Sequence, residues 1–325
     1  MEVTKLSSVM ADYNVKTVKG RFAPSPSGRM HLGNLFSAMA SWASTRSRGG
    51  RWLLRIEDLD PQRSKPQWSR WIEDDLAWLG LDWDEGGTQG SGDAGPYMQS
   101  RRGEVYEECL SRLVEAGYCY PCSCRRADLL ATQAPHQSDG RVIYGGRCRP
   151  PQMPCRCEPH RGEALRLWVR PGEEIEFRDR VFGRQRVDVA RDCGDFIVRR
   201  GDGAWSYQLA VVADDALMGV TEVVRGHDLL LSAAQQIYVG RLLGFEEPAY
   251  AHVPLICNAQ GVRLSKRDGA LGMEELRRRY TPFELLGYLA WLGGQIPVAQ
   301  RLTPSDLASI WDWSKMPQTP TIEIK

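Results

Sequence analysis

No segment of this 325-residue chain sustains the run of about 18 apolar residues that a membrane-crossing helix requires, so a helical span is excluded. Met1 to Gly20 also lack the apolar stretch of a secretory signal. Both absences point to a cytoplasmic protein with no membrane partner. There is no internal repeat and no low-complexity tract, which removes the solenoids and the biased linkers. Net charge is only +1, so no bulk field selects a polyanionic or a cationic partner. Lysine is scarce, seven among 42 basic residues. The rest are arginines, whose planar fork bonds carboxylates and phosphates in two places, although totals say less than a local patch. No nucleophile–base constellation of the hydrolase type stands out.

What remains has the composition of a globular protein, 42% hydrophobic and 26% charged. The length predicts two or three packed units rather than one core. Nine cysteines without a secretory signal read as thiols or metal ligands rather than disulfides. Residues 15–23 alternate like a strand and stop at the Pro24/Pro26 turn, and residues 35–48, free of Pro and Gly, read as a helix. Residues 52–56 form a second strand after Gly49-Gly50, and 67–79 and 101–116 are helices. Strand, glycine loop, helix, strand, helix is the order of a parallel nucleotide-binding sheet, an α/β fold.

From Tyr118 the composition changes. Residues 118–160 hold six cysteines and six prolines with little periodicity, which reads as an insertion held by something other than a large core. Short strands are expected at 165–169, 175–178 and 196–199, with Gly201-Asp-Gly as a hairpin turn. The apolar run 209–213 suits a buried parallel strand, 229–243 a helix, and 273–280 and 282–292 further helices. The expected organisation is an extension at 1–18, two halves of a catalytic sheet at 19–117 and 190–245, an inserted cysteine-rich subdomain at 118–189, and a lysine loop with a helical region at 246–325. Cys109, Cys193 and Cys257 read as buried thiols, and His227 and His252 carry no partner signal.

Two segments carry chemistry together. Arg21-Phe-Ala-Pro-Ser-Pro-Ser-Gly-Arg-Met-His-Leu-Gly-Asn34 is a small-residue loop between a strand and a helix, and Arg263-Leu-Ser-Lys266-Arg267 stands far downstream. Small side chains at Pro24, Ser25, Ser27, Gly28 and Gly33 let a nucleotide approach the backbone, with a helix amino end aimed at its phosphates. His31 can donate to a phosphate oxygen, and a lysine ammonium can stabilise charge that builds during phosphoryl chemistry. Alone, a histidine near a helix start is usually structural and a Lys-Arg pair usually just solvated.

As a pair, the segments resemble the HIGH and KMSKS motifs of class I aminoacyl-tRNA synthetases, and the chain is similar to their glutamyl branch over roughly residues 19–292. The fourth HIGH position is Asn34 rather than a second histidine. Asp214-Asp-Ala-Leu-Met-Gly-Val-Thr-Glu-Val-Val-Arg-Gly226 also resembles that branch. The resemblance implies a Rossmann-like parallel sheet, ATP as substrate with Mg²⁺, and glutamate activation. It assigns catalysis to His31 and Lys266, and ATP binding to those two with Gly33 and Asn34. It assigns glutamate to Arg21, Phe22, Ala23, Pro24, Ser25, Glu57, Tyr207 and Arg225. Two arginines for two carboxylates and one glutamate for the ammonium suit the ligand, because arginine bonds carboxylate bidentately.

The resemblance further implies one structural Zn²⁺ on Cys122, Cys124, Tyr144 and Cys148, a closed four-ligand set. Cys119, Cys155, Cys157, His136 and His160 are rival ligands, a set with Cys155 and Cys157 being the main competitor. Fewer than 60 residues follow Lys266, short of the helical domain with which a glutamyl-tRNA synthetase reads the anticodon. The expectation is therefore a short monomeric form of the branch with no anticodon-binding domain, which transfers L-glutamate to queuosine in the anticodon loop of tRNA(Asp). The alternatives are the catalytic portion of an enzyme charging tRNA(Glu), and a relative that binds without catalysing.

Overall fold

The four-residue strand β1 (Lys19–Phe22) is buried at three of its positions, and the residue that makes this possible is Gly20. A Cβ there would sit 2.0 Å from Thr45 Oγ1, because helix α1 (Leu32–Arg46) lies directly on the strand. Small residues on α1, including Ala38, Ser41, Ala43 and Ser44, are all buried against the sheet. Ser41 Oγ donates to Arg21 O at 2.9 Å. The computed structural model describes residues 17–124, 143–152, 162–258, 260–261 and 272–324.

Along the chain follow β2 (Arg51–Leu54), α2 (Pro66–Leu79), β3 (Glu85–Gly86), α3 (Gly103–Glu115) and β4 (Cys119–Cys122). Then come β5 (Ala164–Leu167), β6 (Glu174–Asp179), β7 (Gly183–Asp188), the single turn α4 (Val189–Asp192) and β8 (Phe196–Arg199). Helix α5 (Tyr207–Leu217), β9 (Glu222–Gly226), α6 (Leu230–Leu243), β10 (Ala249–Val253) and β11 (Leu255–Cys257) complete the central region. The last elements are α7 (Met273–Arg279), α8 (Pro282–Leu292), α9 (Pro304–Ile310) and β12 (Thr321–Glu323).

The central sheet has the order β3-β2-β1-β9-β10-β6-β7. All its pairings are parallel except the β6–β7 hairpin. That hairpin falls within the segment 118–189, yet it joins the edge of the central sheet through Tyr250 and Asp179. The order reverses between β1 and β9, where Arg21 is opposite Val223. A crevice opens beyond the carboxyl ends of strands at such a switch point. A separate antiparallel sheet, β4-β5-β8, carries Cys119 and Cys122, and α8 and α9 pack against α1.

One sequence expectation fails outright. Residues 209–213 are not a strand but the middle of α5, and the parallel strand is β9. Ser206 caps the helix, accepting from Leu209 N. Leu209 through Asp215 are all buried, so the helix shows no polar stripe. A short apolar run cannot be told from a buried strand by periodicity.

Candidate active site

The loop after β1, the residues after β2, the start of α5 and the end of β9 converge on one cleft of about 500 Å³. Its walls include Arg21, Phe22, Ala23, Pro24, Ser25, His31, Gly33, Asn34, Glu57, Tyr207 and Arg225. Every site residue expected for the cleft is therefore brought together, save Lys266, which lies outside the described residues. Gly272, which follows it, bridges His31 through the backbone, and Met273 N donates to Met30 O at 3.1 Å.

The charges at the cleft floor are arranged unequally. Arg21 is buried, with Nε 3.4 Å from Asp215 Oδ1 and Nη1 donating to Val224 O at 3.1 Å. Arg55, fully buried, has Nη1 2.7 Å from Asp215 Oδ1, Nη2 3.2 Å from Glu57 Oε1 and Nε 3.5 Å from Asp214 Oδ2. Asp214 in turn accepts from Gln99, Arg102 and Tyr106. Burial opposes the Arg55 charge, but Asp215 and Asp214 outweigh it and raise its pKa. Burial also works against the Asp215 carboxylate, and Arg55 and Arg21 hold it below its ordinary value. Glu57 is different: burial pushes its carboxyl up, and Arg55 and Arg21 offset this only in part. It is the least compensated anion of the group and lines the cleft.

Arg225 is the matching cation. Its Nε donates to His252 Nε2 at 3.1 Å, its Nη1 to Gln236 Oε1 at 2.7 Å and Tyr207 OH at 3.4 Å, and its Nη2 to Leu229 O at 3.3 Å. All of these acceptors are neutral. Among the described residues no carboxylate forms an ion pair with this buried guanidinium, and Asp215 acts on it only through space, which suits it to an anionic ligand.

His31 is the N-cap of α1. Its Nδ1 accepts from Gly33 N at 3.1 Å, and its own N–H donates to Asn34 Oδ1 at 3.2 Å. With Nδ1 an acceptor, the neutral ring carries its proton on Nε2. Asn34 closes a reciprocal capping box, which gives that side chain a structural task. Gly28 has φ 136, a conformation that favours glycine.

Sequence reasoning missed Arg55, Asp215, Asp179 and His252. The signal for two of them was present: Arg55 stands two residues before Glu57, and Asp215 lies in the segment 214–226 that carried the resemblance. Reading α5 as a strand hid the inward face from which Asp215 projects. His252 and Asp179 carry no motif and meet only through the β6–β10 pairing. Of the other cysteines, Cys109 and Cys257 are buried as expected, while Cys193 is partly exposed.

The sulfurs of Cys122, Cys124 and Cys148 lie within 4.8 Å of one another. Cys124 and Cys148 are 3.5 Å apart, and Tyr144 OH is 3.7 Å from Cys122 Sγ. A tetrahedral zinc with Zn–S bonds of about 2.3 Å has S···S edges of about 3.8 Å, so the donor set fits such an ion. Cys119 is apart from it, buried in the core of the larger cluster that holds Leu165 and Val198. Cys155, Cys157, His136 and His160 lie outside the described residues. Burial raises the Cys148 thiol, but hydrogen bonds from Tyr144, Ser123 and the two other cysteines bring it down to about 7. No helix among the described residues is long and apolar enough to cross a membrane.

Residues 17–311 match the family of tRNA synthetases class I (E and Q), catalytic domain. The chain is 46% identical over 308 residues to the glutamyl-Q tRNA(Asp) synthetase of Symbiobacterium thermophilum, covering 93% of this chain and 94% of that one. It is 43% identical over 311 residues to the protein of the same name from Nitratidesulfovibrio vulgaris, covering 94% and 95%. Among solved structures, the glutamate-tRNA synthetase of Elizabethkingia anophelis superposes with a TM-score of 0.80 at 25% identity, over 95% of this chain and 68% of that one.

Proposed function

Because this chain belongs to the class I (E and Q) tRNA synthetases, we propose that it activates L-glutamate with ATP and transfers it to queuosine in the anticodon loop of tRNA(Asp). The observation that carries the acceptor is the pattern of similarity. It spans 94% of a glutamyl-Q tRNA(Asp) synthetase at 46% identity, against 68% of a glutamate-tRNA synthetase at 25%. The second reading, charging of tRNA(Glu), draws its support from that same structural likeness.

In this account Arg225 takes a glutamate carboxylate, since it is the buried cation that lacks one, and Glu57 takes the ammonium. Arg21, partly engaged by Asp215, holds the other carboxylate, and Tyr207 positions the ligand beside Arg225. The activated carboxylate oxygen bonds to the α-phosphorus of ATP, and the bond to pyrophosphate breaks. His31 donates from Nε2 to a phosphate oxygen, and Lys266 adds a positioned charge. Mg²⁺, which the family implies, neutralises phosphate charge when bound. A hydroxyl of the queuosine cyclopentene ring then attacks the glutamyl carbonyl, an ester bond forms, and AMP leaves. Holding that hydroxyl against the carbonyl supplies much of the rate of this step. Cys122, Cys124, Tyr144 and Cys148 would hold a structural zinc, which would tie this part of the chain together.

The test is to label tRNA with radioactive glutamate and digest it with a base-specific nuclease. The proposal expects the label on the anticodon fragment. Label on the 3′-terminal adenosine would favour the second reading instead.

A further inference from the structure

Arg225 is held as well as buried, and the holding continues past the cleft wall. Its Nε donates to His252 Nε2 at 3.1 Å, and on the far side His252 Nδ1 is 2.7 Å from Asp179 Oδ2. Both His252 and Asp179 side chains are wholly buried. Asp179 is surrounded by donors: Oδ2 also accepts from His252 N at 3.0 Å, and Oδ1 accepts from Val181 N and Phe182 N, both at 2.9 Å. The Tyr250 ring stacks on His252 with centroids 6.1 Å apart and lies 5.5 Å from the Arg225 guanidinium carbon.

These contacts leave one consistent proton assignment. Asp179 as an acceptor on both oxygens fixes the His252 proton on Nδ1, and Nε2 is then the lone pair that Arg225 needs. Burial holds the His252 pKa down at about 4 despite Asp179, in keeping with a neutral ring.

We propose that Asp179 and His252 are positioning residues that fix the Arg225 guanidinium for carboxylate binding. The idea rests on the reading of this cleft as a glutamate site. With Nε tied to His252, the guanidinium plane cannot turn. Only one of its five N–H donors then lacks a protein acceptor among the described residues, and the 3.4 Å contact to Tyr207 is the weakest of the rest. A carboxylate taking those two donors meets a guanidinium already fixed in place, without the ordering cost of a mobile arginine. The β6–β7 hairpin on the sheet edge thereby gains a task, since it delivers Asp179.

Three variants of the whole chain test this by titration calorimetry with glutamate and, separately, with ATP. His252→Leu keeps volume but removes the acceptor, His252→Gln keeps an acceptor near the Nε2 position, and Asp179→Asn sets an amide N–H against one pair of donors. The expected result is a glutamate Kd raised about tenfold or more in His252→Leu and Asp179→Asn. ATP affinity should stay within about twofold of the unaltered chain, and His252→Gln should recover most of the loss. Asp179→Asn, being isosteric, carries the test if His252→Leu does not fold. Glutamate binding unchanged in folded His252→Leu or Asp179→Asn overturns the positioning role and leaves the functional reading intact. Equal losses for glutamate and ATP also overturn it, pointing to general packing. An unaltered chain that does not bind glutamate overturns the functional reading, and the positioning role with it.

Discussion

At Arg225 the charge and the shape of the side chain have separate consequences. Lysine in its place would keep a cation but lose the fork that His252, Gln236 and Leu229 orient. Arg225→Lys should raise the glutamate KM in ATP–pyrophosphate exchange by about tenfold or more, with the ATP KM little changed. An unaltered glutamate KM would remove Arg225 from the site. Arg55 behaves differently because it is wholly internal. Arg55→Met leaves Asp215 and Asp214 facing each other without their shared cation, and should cost about 3–5 kcal/mol in denaturant unfolding. A cost under about 1 kcal/mol would show that these carboxylates find other partners. Arg21, Glu57, Tyr207 and Arg225 were legible in the sequence because each sits in a recognisable segment. Arg55 and His252 were not, because what marks them is a partner on a distant element, and no local pattern encodes that.

At the scale of the element, the N-cap of α1 is also a residue of the cleft wall. His31 caps the helix through Nδ1, and substitutions can separate that task from the phosphate contact proposed for Nε2. His31→Ala should lose about 1 kcal/mol of stability together with activation rate. His31→Asn, a good cap, should keep the stability and still lose at least about tenfold in rate. Equal rates for His31→Asn and the unaltered chain would leave His31 with capping alone. The strand β4 and its neighbours should depend on metal. One zinc per chain is expected by elemental analysis, and Cys124→Ser should release it and lower the melting temperature. A metal-free chain of full stability would contradict the zinc assignment. The helices α1, α2, α3, α6, α7 and α8 were legible to within a few residues, since Pro66 and Gly80 bound α2 and Thr281 with Glu284 caps α8, whereas strands β9 and β10 were not read. Helix α5 was misread because it is apolar nearly all round, and burial on every side erases the stripe that marks a helix. Strand β6 was legible, but β7 was not, and their place on the sheet edge is a long-range pairing without a local signature.

For the whole molecule, the buried ionisable groups set the response to acid. His252, depressed to about 4 by burial, stays neutral in the fold while the unfolded chain takes up a proton near its ordinary value. Its contribution is therefore complete above about pH 6.5 and is lost as pH falls towards 4, by at most about 3 kcal/mol. Asp179 and Asp215, both held below the ordinary carboxylate value against the burial that would raise them, add losses of the same sign at lower pH. Glu57, raised by burial, works in the opposite direction. Unfolding free energy should therefore drop on acidification from pH 6.5 to 4, with a shallower slope in His252→Gln. A flat profile would mean that His252 is not shielded. The switch point between β1 and β9, the buried Arg225 without an ion-pair partner among the described residues, the incompletely compensated Glu57 and the family match all converge on glutamate. The acceptor is the claim that most needs a direct answer. Labelled glutamate should be offered with ATP to two total tRNA pools, one containing queuosine and one lacking it. Label on tRNA(Asp) from the queuosine-containing pool alone is the predicted result, and label on tRNA(Glu) from both pools would contradict it.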